Sequence, residues 1–209
     1  MKFVKVILLL AVLLVGVWIV LCFVGPAAIR TERSVQINAQ PEVVFGLVND
    51  LQVWEAWSPW QGKDSTMVTT LTNPSVGMGA TMSWTSKAMG NGSMQITQSQ
   101  PFAFIATTLV FSDFDGESYA NFTFKKEGEG TEVSWNMDGS EIPFLFRGFL
   151  ALMDPISAIN KDYDEGLASL KTLAESQPPL VIEEPILEEI GETSDGEVGL
   201  EDATGLGLE

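Results

Sequence analysis

Between residues 65 and 139 the side chains alternate in short runs of period two, and every run stops at a turn-forming sequence. Val68 and Thr70 precede Asn73-Pro74; Ala80, Met82 and Trp84 precede Gly90-Asn91-Gly92; Met94 and Ile96 run up to Pro101. Thr107, Leu109 and Phe111 lead into Asp113-Phe114-Asp115-Gly116. Ala120, Phe122 and Phe124 lead into Glu127-Gly128-Glu129-Gly130, and Val133, Trp135 and Met137 close the series. Period two sends alternate side chains to opposite faces of a strand, and Gly-Asn-Gly between two such runs is a hairpin signal. About six consecutive strands joined by short loops pair with their sequence neighbours, so the pattern predicts an antiparallel meander.

Helical spacing flanks this region on both sides. A strand over residues 30–38, with Val35 and Ile37 on one face, is followed by Pro41 at a helix start and Glu42 in its first turn. Both positions suit a helix N-terminus. Val44, Phe45, Val48 and Leu51 recur at 3.6-residue spacing, and Asn49-Asp50 with the stretch Trp54-Glu55-Ala56-Trp57-Ser58-Pro59-Trp60 ends the helix. After the meander, Phe144, Phe149, Leu150, Leu152 and Met153 cluster before Pro155. Ile156, Ile159, Tyr163, Leu167, Leu170 and Leu173 then keep helical spacing through Ala174. Asp154 is placed to cap this helix, with Pro155 at its first position. Gly166 inside it costs about 1 kcal/mol against alanine, which predicts close approach of helix to sheet. The expected class is α+β: a sheet with one apolar face, covered by a single helix of about 20 residues.

The two ends fall outside this domain. Residues 6–24 form 19 consecutive uncharged positions, enough helix to span roughly 28 Å of a ~30 Å hydrocarbon core. Lys2 and Lys5 precede the run, which predicts a cytoplasmic N-terminus and a body on the far, periplasmic or extracytoplasmic side of an inner membrane. A cleaved signal peptide is the competing reading, but the run exceeds the usual 7–15 residues, and Gly25-Pro26-Ala27 is a poor cleavage site. Leu21 before Cys22 also makes a poor lipidation site. Trp18 is expected to face lipid or the interface. At the other end, residues 177–209 carry ten of the 28 acidic residues and no basic ones, a composition expected to stay disordered. The expected organisation is an anchor over residues 1–29, a domain over 30–176 and an acidic tail over 177–209.

Composition removes several functions. The net charge of −17 argues against a nucleic-acid partner. There is no histidine and the one cysteine is Cys22, which excludes Ser-His and Cys-His catalysis, Cys/His zinc sites and a disulfide framework. No phosphate-cradling glycine motif occurs, and no cofactor or metal is expected.

The order of elements resembles the SRPBCC superfamily (START-like, Bet v 1-like, polyketide cyclase/dehydrase-like). The resemblance covers about residues 30–176. It is carried by Pro41-Glu42-Val43-Val44-Phe45, Asn49-Asp50-Leu51, the Trp54 to Trp60 stretch, and Asp162-Tyr163-Asp164-Glu165-Gly166-Leu167-Ala168-Ser169-Leu170-Lys171. It implies a helix-grip fold, in which a curved antiparallel sheet wraps a long C-terminal helix around a cavity. Members bind lipids, sterols, polyketides and hormones, and a few catalyse cyclisation or hydrolysis; fold alone does not choose among these.

Trp84, Met94, Ile96, Phe122, Phe124, Trp135 and Met137 are expected on the concave face, opposite Phe149, Met153, Ile156 and Ile159. Trp84, Met94, Phe122, Trp135, Met137, Phe149 and Met153 are the candidate lining of a hydrophobic-ligand pocket, the methionines supplying adaptable walls. The alternative for each is an ordinary core position. Trp54 and Trp57 are expected to pack on the sheet, and Trp60 to be exposed near a pocket mouth or membrane. Asp113, Asp115, Glu117, Asp138 and Glu141 fit turns better than acid/base or cation sites. Arg147 is either a ligand anchor or a solvated arginine. The leading expectation is thus a single-pass membrane-anchored domain that binds a hydrophobic small molecule or lipid. The alternatives are a carboxylate-dependent cyclase or hydrolase and a non-catalytic protein that presents its acidic tail.

Overall fold

The computed structural model describes residues 2–112 and 116–178. Helix α1 (Lys2–Val24) is followed by β1 (Ala28–Ile37), α2 (Pro41–Asn49) and a 3₁₀ turn (Val53–Ala56). Six strands follow: β2 (Val68–Leu71), β3 (Thr81–Thr85), β4 (Gly92–Gln100), β5 (Phe104–Phe111), β6 (Glu117–Glu127) and β7 (Gly130–Glu141). Helices α3 (Phe144–Met153) and α4 (Pro155–Glu175) end the domain. The sheet is antiparallel with strand order β1-β7-β6-β5-β4-β3-β2. The meander expected from period two is therefore present strand for strand, and β1 joins its last member. Strand β1 begins at Ala28, two residues earlier than expected, because a register shift between Ala28 and Arg30 breaks the alternation there. The acidic-tail positions beyond Pro178, and Asp113 and Asp115, lie outside the described residues.

Helix α4 crosses the concave face. Asp154, in a left-handed conformation, caps it by accepting from the Ser157 amide at 3.3 Å, with Pro155 in the first turn. Polar ties fix it to β1: Arg33 makes a two-pronged pair with Asp164 (both 2.7 Å), Lys171 donates to the Gln36 carbonyl, and Thr31 bonds Asn160. Gly166 lets the helix come down onto the sheet. A Cβ there would lie 2.8 Å from Pro59 Cδ and 3.0 Å from Trp135 Cζ3. Gly166→Ala is therefore expected to destabilise by about 1–3 kcal/mol by overpacking, despite its gain in helix propensity. Urea unfolding of the variant checks the sign.

Helix α3 packs on the end of α1. Trp18 meets Phe149 edge-on at 4.5 Å, Phe23 meets Phe144 at 5.0 Å, and the Cys22 thiol points at the Leu145 carbonyl at 3.7 Å. Gly148 makes room for this, since a Cβ on it would sit 3.1–3.2 Å from Cys22 and Trp18. Trp18, expected to face lipid or the interface, is partly exposed and meets α3 through Phe149.

Candidate functional site

The concave face has two halves of different density. Toward the open ends of β1 and β6 it is solid: Ile37, Val44, Val48, Ile96, Ile105, Phe122, Phe124, Val133, Leu167 and Leu170 are buried together under α2 and the C-terminal half of α4. Toward the other end the cover is only the irregular chain around residues 51–69 and the first turns of α4. There the sheet encloses a partly open chamber of about 790 Å³, within the usual size range of small-molecule sites.

The wall follows from strand register. Met82, Met94 and Leu109 stand directly opposite one another across β3, β4 and β5, and Thr107, Ala120 and Met137 do the same across β5, β6 and β7. All six line the chamber. Ala120 is the space-making position, since the same face of β6 carries phenylalanine at the next two inward sites. Trp84 closes one side by lying across Gly92, where a Cβ would come within 2.5 Å of its indole. Gly92, part of an expected turn, is thus the first residue of β4 and the seat of a wall residue. Ile159 and Tyr163 of α4 roof the chamber. Counting Met67 and Met89, five of the eight methionines line it, giving a wall that can reshape around its contents.

Polar groups are few and placed at two levels. Inside, Thr107 is buried and its hydroxyl donates to the Ala120 carbonyl at 3.1 Å. Burial alone pushes the Tyr163 phenol well above its ordinary range, so it is neutral at every physiological pH. The Trp135 indole N–H is buried without an acceptor. At the rim stand Gln52, Glu55, Gln61, Lys63 and Asp162, with Lys63 paired to Asp162 across the mouth.

The rim segment is held by one carboxylate. Asp64 accepts from the Ser86 hydroxyl (2.5 Å), the Thr66 hydroxyl (2.7 Å) and amide (2.8 Å), and the Ala88 amide (3.1 Å). These bonds hold its carboxyl well below the usual carboxylate range, the Ser86 hydroxyl contributing most. A depressed folded-state pKa stabilises the structure above the unfolded value near 3.8 and loses that contribution as pH falls through the folded value. The protection of the Thr66 and Ala88 amides, measured against the intrinsic exchange rate at each pH, is therefore expected to fall as pH drops below about 4. Asp64→Asn should remove that pH dependence.

Of the candidate lining residues, Trp84, Met94, Trp135 and Met137 stand on the chamber wall. Phe122 does not: it is fully buried in the solid half, one register step beyond Ala120. Phe149 and Met153 do not either. They lie on α3, 53% and 74% exposed, because α3 packs on α1 and leaves the sheet to α4. Arg147 is on the same helix and donates from Nε to the Ile142 carbonyl at 2.9 Å, away from the chamber. Trp54 and Trp57 are buried as expected, their indole N–H groups donating to the Val48 and Leu47 carbonyls. Trp60, expected to be exposed, is half-buried in the chamber wall against Trp135 and Tyr163. Tyr163, Leu109, Thr107 and Ala120 were missed; Tyr163 was legible only as one apolar position of a helix stripe. Glu117 accepts from the Tyr119 hydroxyl, and Asp138 pairs with Arg30 on the outer surface.

A curved antiparallel sheet closed by a C-terminal helix over an apolar chamber defines the helix-grip class. Residues 28–175 match the family described as polyketide cyclase / dehydrase and lipid transport, and the chain belongs to that family. Among solved structures, the KanY protein is 17% identical with a TM-score of 0.54, over 72% of this chain and 99% of KanY. A protein from Chromobacterium violaceum is similar at 17% identity and TM-score 0.53, over 71% of this chain and 99% of its own. XoxI from Bacillus cereus matches at 15% identity and TM-score 0.50, over 70% and 96%. Identities this low establish a shared fold and nothing finer. Among curated proteins, none matches this sequence.

Proposed function

We propose that the domain holds a hydrophobic small molecule or a lipid in the 790 Å³ chamber, beside a membrane that α1 enters. The observation that carries this reading is the unfilled half of the sheet face. Met82, Met94, Leu109, Met137 and Trp84 face Ile159 across a space that no side chain fills, far larger than the voids of a packed interior. Neutral Tyr163 and the unpaired Trp135 N–H are the buried polar groups nearest to hand for a ligand carrying one or two acceptors.

A binding role is favoured over a carboxylate-dependent cyclase or hydrolase by the chemistry of the interior. Such an enzyme needs a buried acid beside the pocket, whereas no Asp or Glu among the described residues is buried. The two carboxylates on the chamber, Glu55 and Asp162, sit at its rim, and Asp162 is paired to Lys63. Helix α1 is long and apolar enough to cross a membrane. Retention of the helix, in preference to cleavage, is supported by the packing of its end into the body. Cys22 is buried, and a Cβ on Gly25 would fall 2.0 Å from the Arg147 carbonyl oxygen. The lysines at positions 2 and 5 favour a cytoplasmic N-terminus and an extracytoplasmic domain.

Organic extraction of the detergent-purified full-length protein, followed by mass spectrometry, tests the binding role. A near-stoichiometric apolar compound, or saturable uptake of a fluorescent fatty acid with energy transfer from Trp84 and Trp60, is expected. A protein that comes out empty and takes up no such probe overturns it.

A further inference from the structure

Helix α3 breaks the rule that a helix on a domain surface turns its polar side outward. Its sequence, FLFRGFLALM, contains one charged residue. The face in contact with α1 is made by Phe144, Gly148 and one edge of Phe149, while Leu145, Phe146, Leu152 and Met153 are each more than half exposed. Five large apolar side chains on a ten-residue helix make a contiguous patch that water does not favour.

Its position says what covers the patch. Helix α3 touches the last two turns of α1 at Trp18, Cys22 and Phe23, and Gly25 just beyond them, while residues 6–17 of α1 are uncharged and exposed throughout. At about 1.5 Å per residue those contacts fall within roughly 10 Å of the end of α1. The exposed faces of the two helices are therefore continuous. At ten residues, or about 15 Å, α3 is too short to cross a bilayer, but it has the length and composition of a helix that lies within one leaflet at the boundary of headgroups and acyl chains. Arg147 is on its inner side, with Nε on the Ile142 carbonyl, so the lipid-facing residues carry no charge.

We infer that α3 is a second membrane element: an interfacial helix seated in the leaflet where α1 ends, with Leu145, Phe146, Phe149, Leu152 and Met153 among the acyl chains. This rests on the reading of α1 as a membrane span. It adds that the domain is docked on the bilayer in a fixed pose and does not swing from a tether, because α3 runs through Asp154 directly into the helix that roofs the chamber.

Full-length protein with Cys22→Ser and one introduced cysteine, at Phe146, Leu152, Leu13 or Lys126, is labelled with an environment-sensitive fluorophore. It is then reconstituted into phosphatidylethanolamine vesicles with a minority of phosphatidylglycerol. Labels at Phe146 and Leu152 should shift to the blue, lose quenching by iodide and gain quenching by doxyl-labelled lipid, as at Leu13, whereas Lys126 behaves in the opposite way. Two results overturn the inference. One is iodide quenching at Phe146 and Leu152 matching Lys126; the other is shielding from both quenchers, which means that protein covers α3. Iodide access at Leu13 would sink the membrane reading of α1 itself, so the two failures are told apart.

Discussion

Trp135→Ala should lower the unfolding free energy by about 3–5 kcal/mol, the loss typical of a large aromatic deleted from a packed interior. Trp135 is 2% exposed and sits at the seam between solid core and chamber. It stacks on Tyr163 with ring centres 3.8 Å apart and on Phe122 at 4.8 Å, and it receives Trp54, Trp57 and Trp60 edge-on. It meets the roof helix at both Tyr163 and Gly166, so its removal loosens the lid as well as leaving a hole. The unpaired indole N–H works against that contribution, since a buried donor without an acceptor is costly. Trp135→Phe keeps a ring and deletes the donor, and is expected to cost about 1–2 kcal/mol. Urea unfolding of the full-length variants in detergent checks both. A loss below about 1 kcal/mol for the alanine variant would mean that the ring merely borders empty space.

The fold was legible in the sequence where local pattern and tertiary environment agree. Every strand from β2 to β7 pairs with its sequence neighbour, so period two and turn residues were sufficient to place it. Asp154 and Pro155 announced α4, and Gly166 announced its close approach, because caps and small residues act locally. The site was only half legible. Period two assigns a side chain to a face, but not to a distance along that face. Met94 and Phe122 share the concave side, yet one meets the chamber and the other the solid core, as decided by where α2 and the Trp54–Trp57 pair lie. Helical spacing has the same limit. Phe149 and Met153 carry an apolar stripe as α4 does, and nothing in that stripe says that its partner is α1, more than a hundred residues earlier, and not the sheet.

Leu109→Trp should reduce binding of a fluorescent fatty acid by at least about tenfold, or roughly 1.4 kcal/mol, while changing stability by less than about 1 kcal/mol. Leu109 stands at the centre of the wall, opposite Met94, and points into free volume. An indole there takes up space that a ligand needs without displacing a packed neighbour. Ile105→Trp is the matched opposite. It lies on the same strand and face but is fully buried in the solid half, opposite Phe122. The added bulk has nowhere to go, so it should cost about 1–3 kcal/mol or more in stability. Any of that protein which folds should still bind the probe. The crossing pattern, in which one variant loses binding and the other stability, follows from a face that is full at one end and hollow at the other. If Leu109→Trp instead unfolds like Ile105→Trp, the chamber is closed in solution and the binding role goes with it.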